Sequence, residues 1–114
     1  MSANTTISVS DLVATRALAA VELHPLRAEA IQWSHCVHDV FAMPKTFVDR
    51  ARFSEEEKKQ LHAALTNEDT VLLVSYYTSS KKPEPLAGGG KHYVFLLNPT
   101  TQEVLQSSVG TWRS

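Results

Sequence analysis

The sequence contains a single cysteine, Cys36, among its 114 residues. One thiol forms no internal disulfide, and a structural zinc site usually takes several cysteine and histidine ligands. A disulfide-stapled scaffold and a cysteine-rich zinc knuckle are therefore both excluded. The lone thiol predicts a reducing, cytoplasmic compartment, and we expect Cys36 to pack as a small apolar residue.

The sequence also lacks a long apolar run. Residues 1–6 carry no lysine or arginine, and the first apolar stretch, Leu12 to Val21, is interrupted by Thr15 and Arg16. A secretory signal has a basic start and an apolar core, and a membrane-spanning helix takes about 20 apolar residues. We therefore expect neither a targeting signal nor a membrane span, and we expect residues 1–6 to be flexible.

Neither sign of charge is in excess. Eleven Lys and Arg residues oppose twelve Asp and Glu residues, which gives a formal net charge of −1 at pH 7. A nearly neutral protein has no long-range field that attracts polyanions, so nucleic acids and anionic membranes are poor partners. An apolar fraction of 43% with 20% charged residues is typical of a globular domain. We assign residues 1–114 to one domain.

Motifs of the common enzyme classes are absent. The chain contains no Gly-x-Ser-x-Gly, His-Glu-x-x-His, EF-hand or dinucleotide-binding pattern. Gly88-Gly89-Gly90-Lys91 is similar to a phosphate loop, but a strand is predicted after it, and the helix N-terminus that completes such a loop is missing. We expect no cofactor and favour a protein that is not an enzyme.

The N-terminal part of the chain predicts two helices. Ser8 is suited to cap the first, which runs from about Val9 to Leu23. Pro25 is suited to the first turn of the second, because an N–H at that position would be unpaired. Six apolar residues then recur at steps of three, four and one, which indicates that the second helix continues almost to Pro44. They are Leu26, Ala30, Trp33, Val37, Val40 and Phe41.

A third, shorter helix and a meander complete the predicted fold. Ser54-Glu55-Glu56-Glu57 is a capping-box sequence for a helix that ends near Thr66. Beyond it the apolar period changes to two, and strands are predicted over Val71–Tyr77, His92–Leu97 and Val104–Val109. The predicted class is α+β, with two to three N-terminal helices packed on a three-stranded antiparallel β-meander. The third strand contains several polar residues and is expected at an edge.

Residues 79–90 separate the first two predicted strands and are predicted to form a long flexible loop, because an ordinary hairpin needs roughly two to five residues. Lys81, Lys82 and Lys91 lie in or beside this loop, near the tyrosines of the strands. They suggest a platform for single-stranded nucleic acid, since bases stack on aromatic rings and lysines contact phosphates. The near-neutral charge of the chain argues against this function.

Reactive side chains are densest in Trp33-Ser34-His35-Cys36-Val37-His38-Asp39, on the second predicted helix. His35 and Asp39 are four residues apart and would share one helix face. They are candidate metal ligands if one further histidine joins them, but we favour a simple pairing of the two and no bound metal. The histidines available for that role are His24, His62 and His92.

A ligand pocket is the alternative role for the same region. The predicted pocket lies next to the second helix and is gated by the Gly88–Gly90 loop. Its predicted ligand-binding residues are Trp33, His35, His38, Asp39, Tyr76 and Tyr93.

The last predicted hairpin carries a family resemblance. An apolar strand, Tyr93-Val94-Phe95-Leu96-Leu97, is followed by the turn Asn98-Pro99-Thr100-Thr101-Gln102-Glu103 and by Val104-Leu105. The hairpin resembles the last one of small cystatin-like and NTF2-like domains, although Gln102 stands where glycine is usual. The resemblance implies a curved sheet with helices on its concave side, in a domain that binds or inhibits a protein or dimerises through its sheet.

The predicted strands contain more apolar positions than the predicted helices can cover. Two of them are apolar on both faces, and such a sheet requires cover on each side. We expect the helices to cover one face and a partner protein or second copy to cover the other. The predicted function is a non-enzymatic protein-binding module, inhibitory or immunity-type, that self-associates through its sheet. The alternatives are an enzyme or ligand binder with a pocket near Trp33, His35 and His38, and nucleic-acid binding through Lys81 and Lys82.

Overall fold

A computed structural model describes residues 7–79 and 89–113 of the protein. The predicted flexible N-terminus and most of the predicted loop, including Lys81 and Lys82, lie outside the described residues. All five strands form one antiparallel sheet in the order β1-β2-β3-β4-β5. The elements are β1 (Ile7–Ser8), α1 (Asp11–Val21), α2 (Pro25–Ala30), β2 (His35–Pro44), α3 (Phe47–Arg50), α4 (Glu55–Ala64), β3 (Thr70–Ser79), β4 (Gly89–Leu97) and β5 (Val104–Arg113).

The largest difference from the prediction concerns the second helix. It ends at Ala30, and a strand, β2, follows. All ten residues of β2 pair with β3, from His35 opposite Ser79 to Pro44 opposite Thr70. Tertiary packing overrides the helical spacing of the apolar residues, because the strand places Val40 and Ala42 in the core on one face and Phe41 and Met43 in the core on the other. With β1, β2 gives the sheet five strands rather than the predicted three.

The strands of the predicted meander are present and are longer than predicted. β3 extends to Ser79, and β4 begins at Gly89, so both ends of the predicted loop belong to the sheet. β5 lies at the sheet edge, as expected from its polar residues. In the turn before β5, Gln102 has a φ of 60°, the left-handed conformation that explains why glycine is usual there.

Local capping fixes where the two longer helices begin. Ser10, rather than the predicted Ser8, caps α1, because its Oγ accepts a hydrogen bond from the Val13 N–H at 3.2 Å. The predicted capping box begins α4: Ser54 Oγ accepts from the Glu57 N–H at 3.1 Å, and the Glu57 carboxylate accepts from the Ser54 N–H at 2.9 Å. Among the described residues, no helix has the length and apolar character needed to cross a lipid bilayer.

Helices pack on both faces of the sheet. Successive side chains of a strand point to opposite faces, so the central strands contribute to two cores. On the face covered by α1 and α2, the buried residues are Ala17, Val21, Ala30, Ala42, Leu72, Val74, Tyr76, Tyr93, Phe95 and Leu97. On the face covered by α3 and α4, they are Met43, Val48, Leu61, Leu65, Val71, Leu73 and Leu96. The expectation that helices cover one face only is wrong, because α3 and the predicted third helix, α4, pack on the face opposite α1 and α2.

Gly90 lies where β4 passes closest to the backbone of β3. A Cβ atom at residue 90 would stand 1.8 Å from the Thr78 carbonyl oxygen, whereas a Cβ at Gly110 meets nothing within 4 Å. A side chain at residue 90 therefore requires the β3 backbone to move.

We expect Gly90→Ala to lower the free energy of unfolding by about 1–3 kcal/mol, because the new methyl group displaces the β3 backbone. Gly110→Ala is the matched control and should change it by less than about 1 kcal/mol, towards greater stability. Urea unfolding followed by circular dichroism measures both variants. Equal effects at the two positions would contradict the close approach of β4 to Thr78.

Candidate functional site

The strand conformation of β2 separates the predicted site residues onto two faces. Alternate residues of a strand point in opposite directions, so Cys36 and His38 face α1 and α2, whereas His35 and Asp39 face the other side. The side chains of His35 and Asp39 form no hydrogen bond or ion pair with each other in the described part of the chain. Within that same part, no group of three or more His, Cys, Asp or Glu side chains is arranged to hold a metal ion.

A cavity of about 630 Å³ opens between α1, α2 and β2, and we call it the Trp33 pocket. It brings together Trp33, His38 and Tyr76, three of the six predicted ligand-binding residues. His38 and Tyr76 meet because they are directly opposite each other in the pairing of β2 with β3, and their ring centroids are 5.9 Å apart. The pocket also contains Arg27 and Cys36.

Trp33 is held in place by a chain of hydrogen bonds. Its Nε1–H donates to the Tyr93 hydroxyl at 3.2 Å, and that hydroxyl donates to Glu29 Oε2 at 2.5 Å. Lys91 Nζ lies 3.8 Å from the same carboxylate oxygen. Burial raises the pKa of Tyr93, and the hydrogen bond to Glu29 raises it further. Tyr93 therefore stays protonated and positions the Trp33 indole from behind, rather than lining the pocket itself.

Arg27 supplies a positive charge to the Trp33 pocket. One guanidinium nitrogen, Nη1, donates to the Glu22 carbonyl oxygen at 3.3 Å, while Nε is buried without a hydrogen-bond partner among the described residues. Burial raises the pKa of the Cys36 thiol, and the Arg27 charge offsets only part of that effect. A thiol that stays protonated is a poor nucleophile, so this pocket is better suited to binding than to thiol chemistry.

The opposite face carries a second concavity, which we call the Phe47 groove. It consists of two adjoining cavities of about 440 Å³ and 360 Å³, and both are lined by Phe47, His92 and Val94. Helix α3 forms one wall of both cavities. Strands β2, β3 and β4 line the larger cavity, and β4 and β5 line the smaller one. The larger cavity also reaches Asp39 and Ser75.

His92 is fixed in this groove from two sides. Its Nε2 lies 2.5 Å from Ser75 Oγ, and its ring stacks on Tyr77 with centroids 3.9 Å apart and planes inclined by 9°. Ser75 is 2% exposed, so the contact with His92 is made at the buried floor of the groove. Burial lowers the pKa of His92, which keeps the imidazole neutral at pH 7.

Sequence reasoning missed the Phe47 groove. From the sequence, His92 was predicted only as a possible further metal ligand, and Ser75 was not predicted to belong to a site. Their meeting depends on the register of β3 with β4, in which Ser75 is opposite Val94 and Tyr77 is opposite His92. The alternation of the two strands predicts which face each residue takes, but the sequence carries no tight turn between them that would fix the register.

Comparisons of this chain with protein families, curated proteins and solved structures found no match. The resemblance of the last hairpin to cystatin-like and NTF2-like domains therefore stays a prediction. The structure differs from what that resemblance implies, because helices pack on both faces of the sheet. Both concavities are interpreted from their own geometry.

The lowered pKa of His92 predicts how acid affects stability. Because the folded protein disfavours the charged ring, the unfolded chain binds more protons, and stability falls as the pH drops below about 6.5. His92→Phe keeps a ring against Tyr77 and removes this titration. Between pH 7 and pH 5, we expect the wild type to lose more unfolding free energy than His92→Phe does, as measured by urea unfolding.

His38→Phe, on the opposite sheet face, is the matched control for this measurement. It should lose as much unfolding free energy between pH 7 and pH 5 as the wild type does. An identical pH dependence in the wild type and His92→Phe would show that His92 does not titrate as its burial predicts.

Proposed function

We propose that this chain is a small non-enzymatic protein-binding module that self-associates through its sheet, at the outer edge of β5. The observation that supports this function is the position of β5. It is the last strand of the sheet. Nine of its ten residues pair with β4 on one side, with Leu105 left out at a register shift, and no described strand pairs with it on the other side.

From Gln106 onward, beyond the register shift at Leu105, the outer edge of β5 lacks the features that protect exposed edges in monomeric proteins. Such edges are usually short, or they carry lysine, proline or inward-pointing charges. Residues 104–112 of β5 contain no lysine, proline or acidic residue. The opposite edge of the sheet ends in β1, whose two residues pair only with Ala42 and Phe41 of β2, and the part of β2 that β1 leaves uncovered carries the charge of Asp39. β5 is therefore the edge better suited to accept another strand.

A second copy of the chain is the partner that this edge fits best. Two antiparallel β5 strands related by a twofold axis present the same unpaired N–H and C=O groups to each other, so the edge is self-complementary. A net charge of −1 produces little repulsion between copies. The paired edges would join two five-stranded sheets into one continuous sheet.

The compartment that we propose for this module is the cytoplasm. Cys36 is a free thiol, and reducing compartments keep thiols in that state. Association through backbone groups of an edge strand does not depend on an oxidised cysteine, so it is compatible with such a compartment.

Val109, on β5, is 40% exposed and suits a test of the edge. We expect the wild type to elute at twice the monomer mass of 12.6 kDa in size-exclusion chromatography with light scattering. Val109→Lys places a hydrated cation on the edge of each copy and should shift the protein to the monomer. Val109→Thr keeps the β-branched shape and should remain dimeric. A wild type that stays monomeric at every concentration measured overturns the proposal.

The Trp33 pocket favours a second candidate function, the binding of a small anionic, apolar ligand. Leu18 and Ile31 provide apolar walls, and Trp33 provides an aromatic wall that is already fixed. The Arg27 guanidinium provides a cation, and charged hydrogen bonds to guanidinium groups are strong. Glu22, the acidic residue that lines the pocket, is exposed to water. His35 and Asp39 take no part in this site, since they lie on the other face.

The probe 8-anilinonaphthalene-1-sulfonate, an aromatic molecule with one negative charge, tests this second candidate. We expect a saturable rise in its fluorescence with the wild type. Arg27→Gln should weaken binding by about tenfold, because it removes a charged hydrogen bond. Arg16→Gln removes the same charge from an α1 residue that does not line the pocket, and should leave binding unchanged. Equal weakening by both substitutions would exclude the Trp33 pocket as the site.

A further inference from the structure

We propose that the Phe47 groove binds an uncharged apolar molecule that carries a carbonyl or hydroxyl oxygen, and that His92 Nδ1–H donates a hydrogen bond to this oxygen. The site is separate from the Trp33 pocket, and its smaller cavity extends to Ser108, Val109 and Gly110 of β5. The inference depends on three features of the groove: the tautomer of His92, the absence of charge from its interior, and its apolar walls.

Ser75 determines which nitrogen of His92 carries the proton. The Ser75 hydroxyl is buried, and His92 Nε2 is its one side-chain partner in the described part of the chain. A buried hydroxyl hydrogen requires an acceptor, so Ser75 donates to Nε2. In a neutral imidazole the proton must then reside on Nδ1. His92 therefore presents an N–H donor rather than an acceptor on its other side.

The Nδ1–H donor is available to a molecule in the groove. Nδ1 has no hydrogen-bond partner among the described residues, and it is not one of their buried unpaired atoms. Stacking on Tyr77 and the Ser75 contact hold the ring still, so little ordering is needed when an acceptor binds. An oxygen acceptor on the ligand would complete the hydrogen bonding of this histidine.

The interior of the groove offers no charge to balance a charged ligand. Its charged side chains, Asp39 and Arg52, are exposed, and they belong to different cavities of the groove. A charged group placed between them would lose water without gaining a partner. The interior walls are apolar and include Phe41, Phe47 and Val94. An uncharged molecule with an apolar body therefore fits better than a carboxylate or an amine.

The Ser75–His92 pair is a binding feature and not a hydrolytic dyad. Acyl transfer needs backbone N–H groups aimed at the developing oxyanion. Ser75 lies inside β3, which pairs with β2 on one side and with β4 on the other, so its strand segment has no free edge. Ser75 can orient His92 but has no oxyanion hole beside it.

Two uncharged fluorescent probes distinguish the hydrogen bond from simple apolar binding. Nile red carries a carbonyl oxygen, whereas N-phenyl-1-naphthylamine carries no oxygen. We expect both to bind the wild type saturably. His92→Phe should weaken Nile red binding by about fivefold, the effect of one net hydrogen bond, and should leave N-phenyl-1-naphthylamine binding nearly unchanged. His62→Phe, which changes a histidine of α4 that lines neither concavity, is the matched control and should affect neither probe.

Ser75→Ala tests the same hydrogen bond with a smaller change, should His92→Phe fail to fold. Without the Ser75 hydroxyl, the His92 proton is no longer fixed on Nδ1. Nile red binding should therefore weaken, while N-phenyl-1-naphthylamine binding should not. Phe47→Ala removes a wall of both cavities and should weaken both probes. The proposal is overturned if the folded wild type binds Nile red without saturation, or if the His92 and Ser75 variants leave its affinity unchanged. Equal weakening of the two probes by His92→Phe would likewise overturn it.

Discussion

The pairing of β2 with β3 is the interaction on which the rest of the structure depends. Ten residues of each strand are paired, and the pairing satisfies the backbone groups of the alternate residues that point towards the neighbouring strand; a buried N–H or C=O left unpaired would be costly. The pairing also places Asp39 opposite Ser75 and carries the short β1 on the outer side of β2. Without this pairing, β3 would become an edge strand with buried apolar residues on both of its faces.

Strand alternation gives the two faces of this sheet different chemistry. Tyr76 and Tyr77 are neighbours in the sequence, yet Tyr76 lines the Trp33 pocket and Tyr77 lines the Phe47 groove. The Trp33 pocket contains the Arg27 charge, whereas the interior of the Phe47 groove offers a neutral imidazole. One sheet therefore provides two concavities that suit ligands of different charge, and neither requires the other to be occupied.

The features predicted well from the sequence are those that neighbouring residues determine. The capping box at Ser54 and the apolar strands of the meander are of this kind. β2 was not predicted, because its polar residues interrupt the strand alternation and its apolar residues also fit a helical period. Pairing with β3 is what makes this segment a strand. Trp33 and His38 were predicted on a helix and Tyr76 on a strand. The structure brings all three to one pocket, and the strand register places His38 opposite Tyr76.

The connections between strands differ greatly in length. Six residues (98–103) join β4 to β5 and nine (80–88) join β3 to β4, whereas 25 (45–69) join β2 to β3. Closing a longer loop costs more chain entropy, so contacts distant in sequence form more slowly. We therefore expect the β3-β4-β5 meander to assemble before β2 docks during folding. An intermediate without β2 would hold three native strands but would lack the walls that β2 contributes to the Trp33 pocket and to the larger cavity of the Phe47 groove.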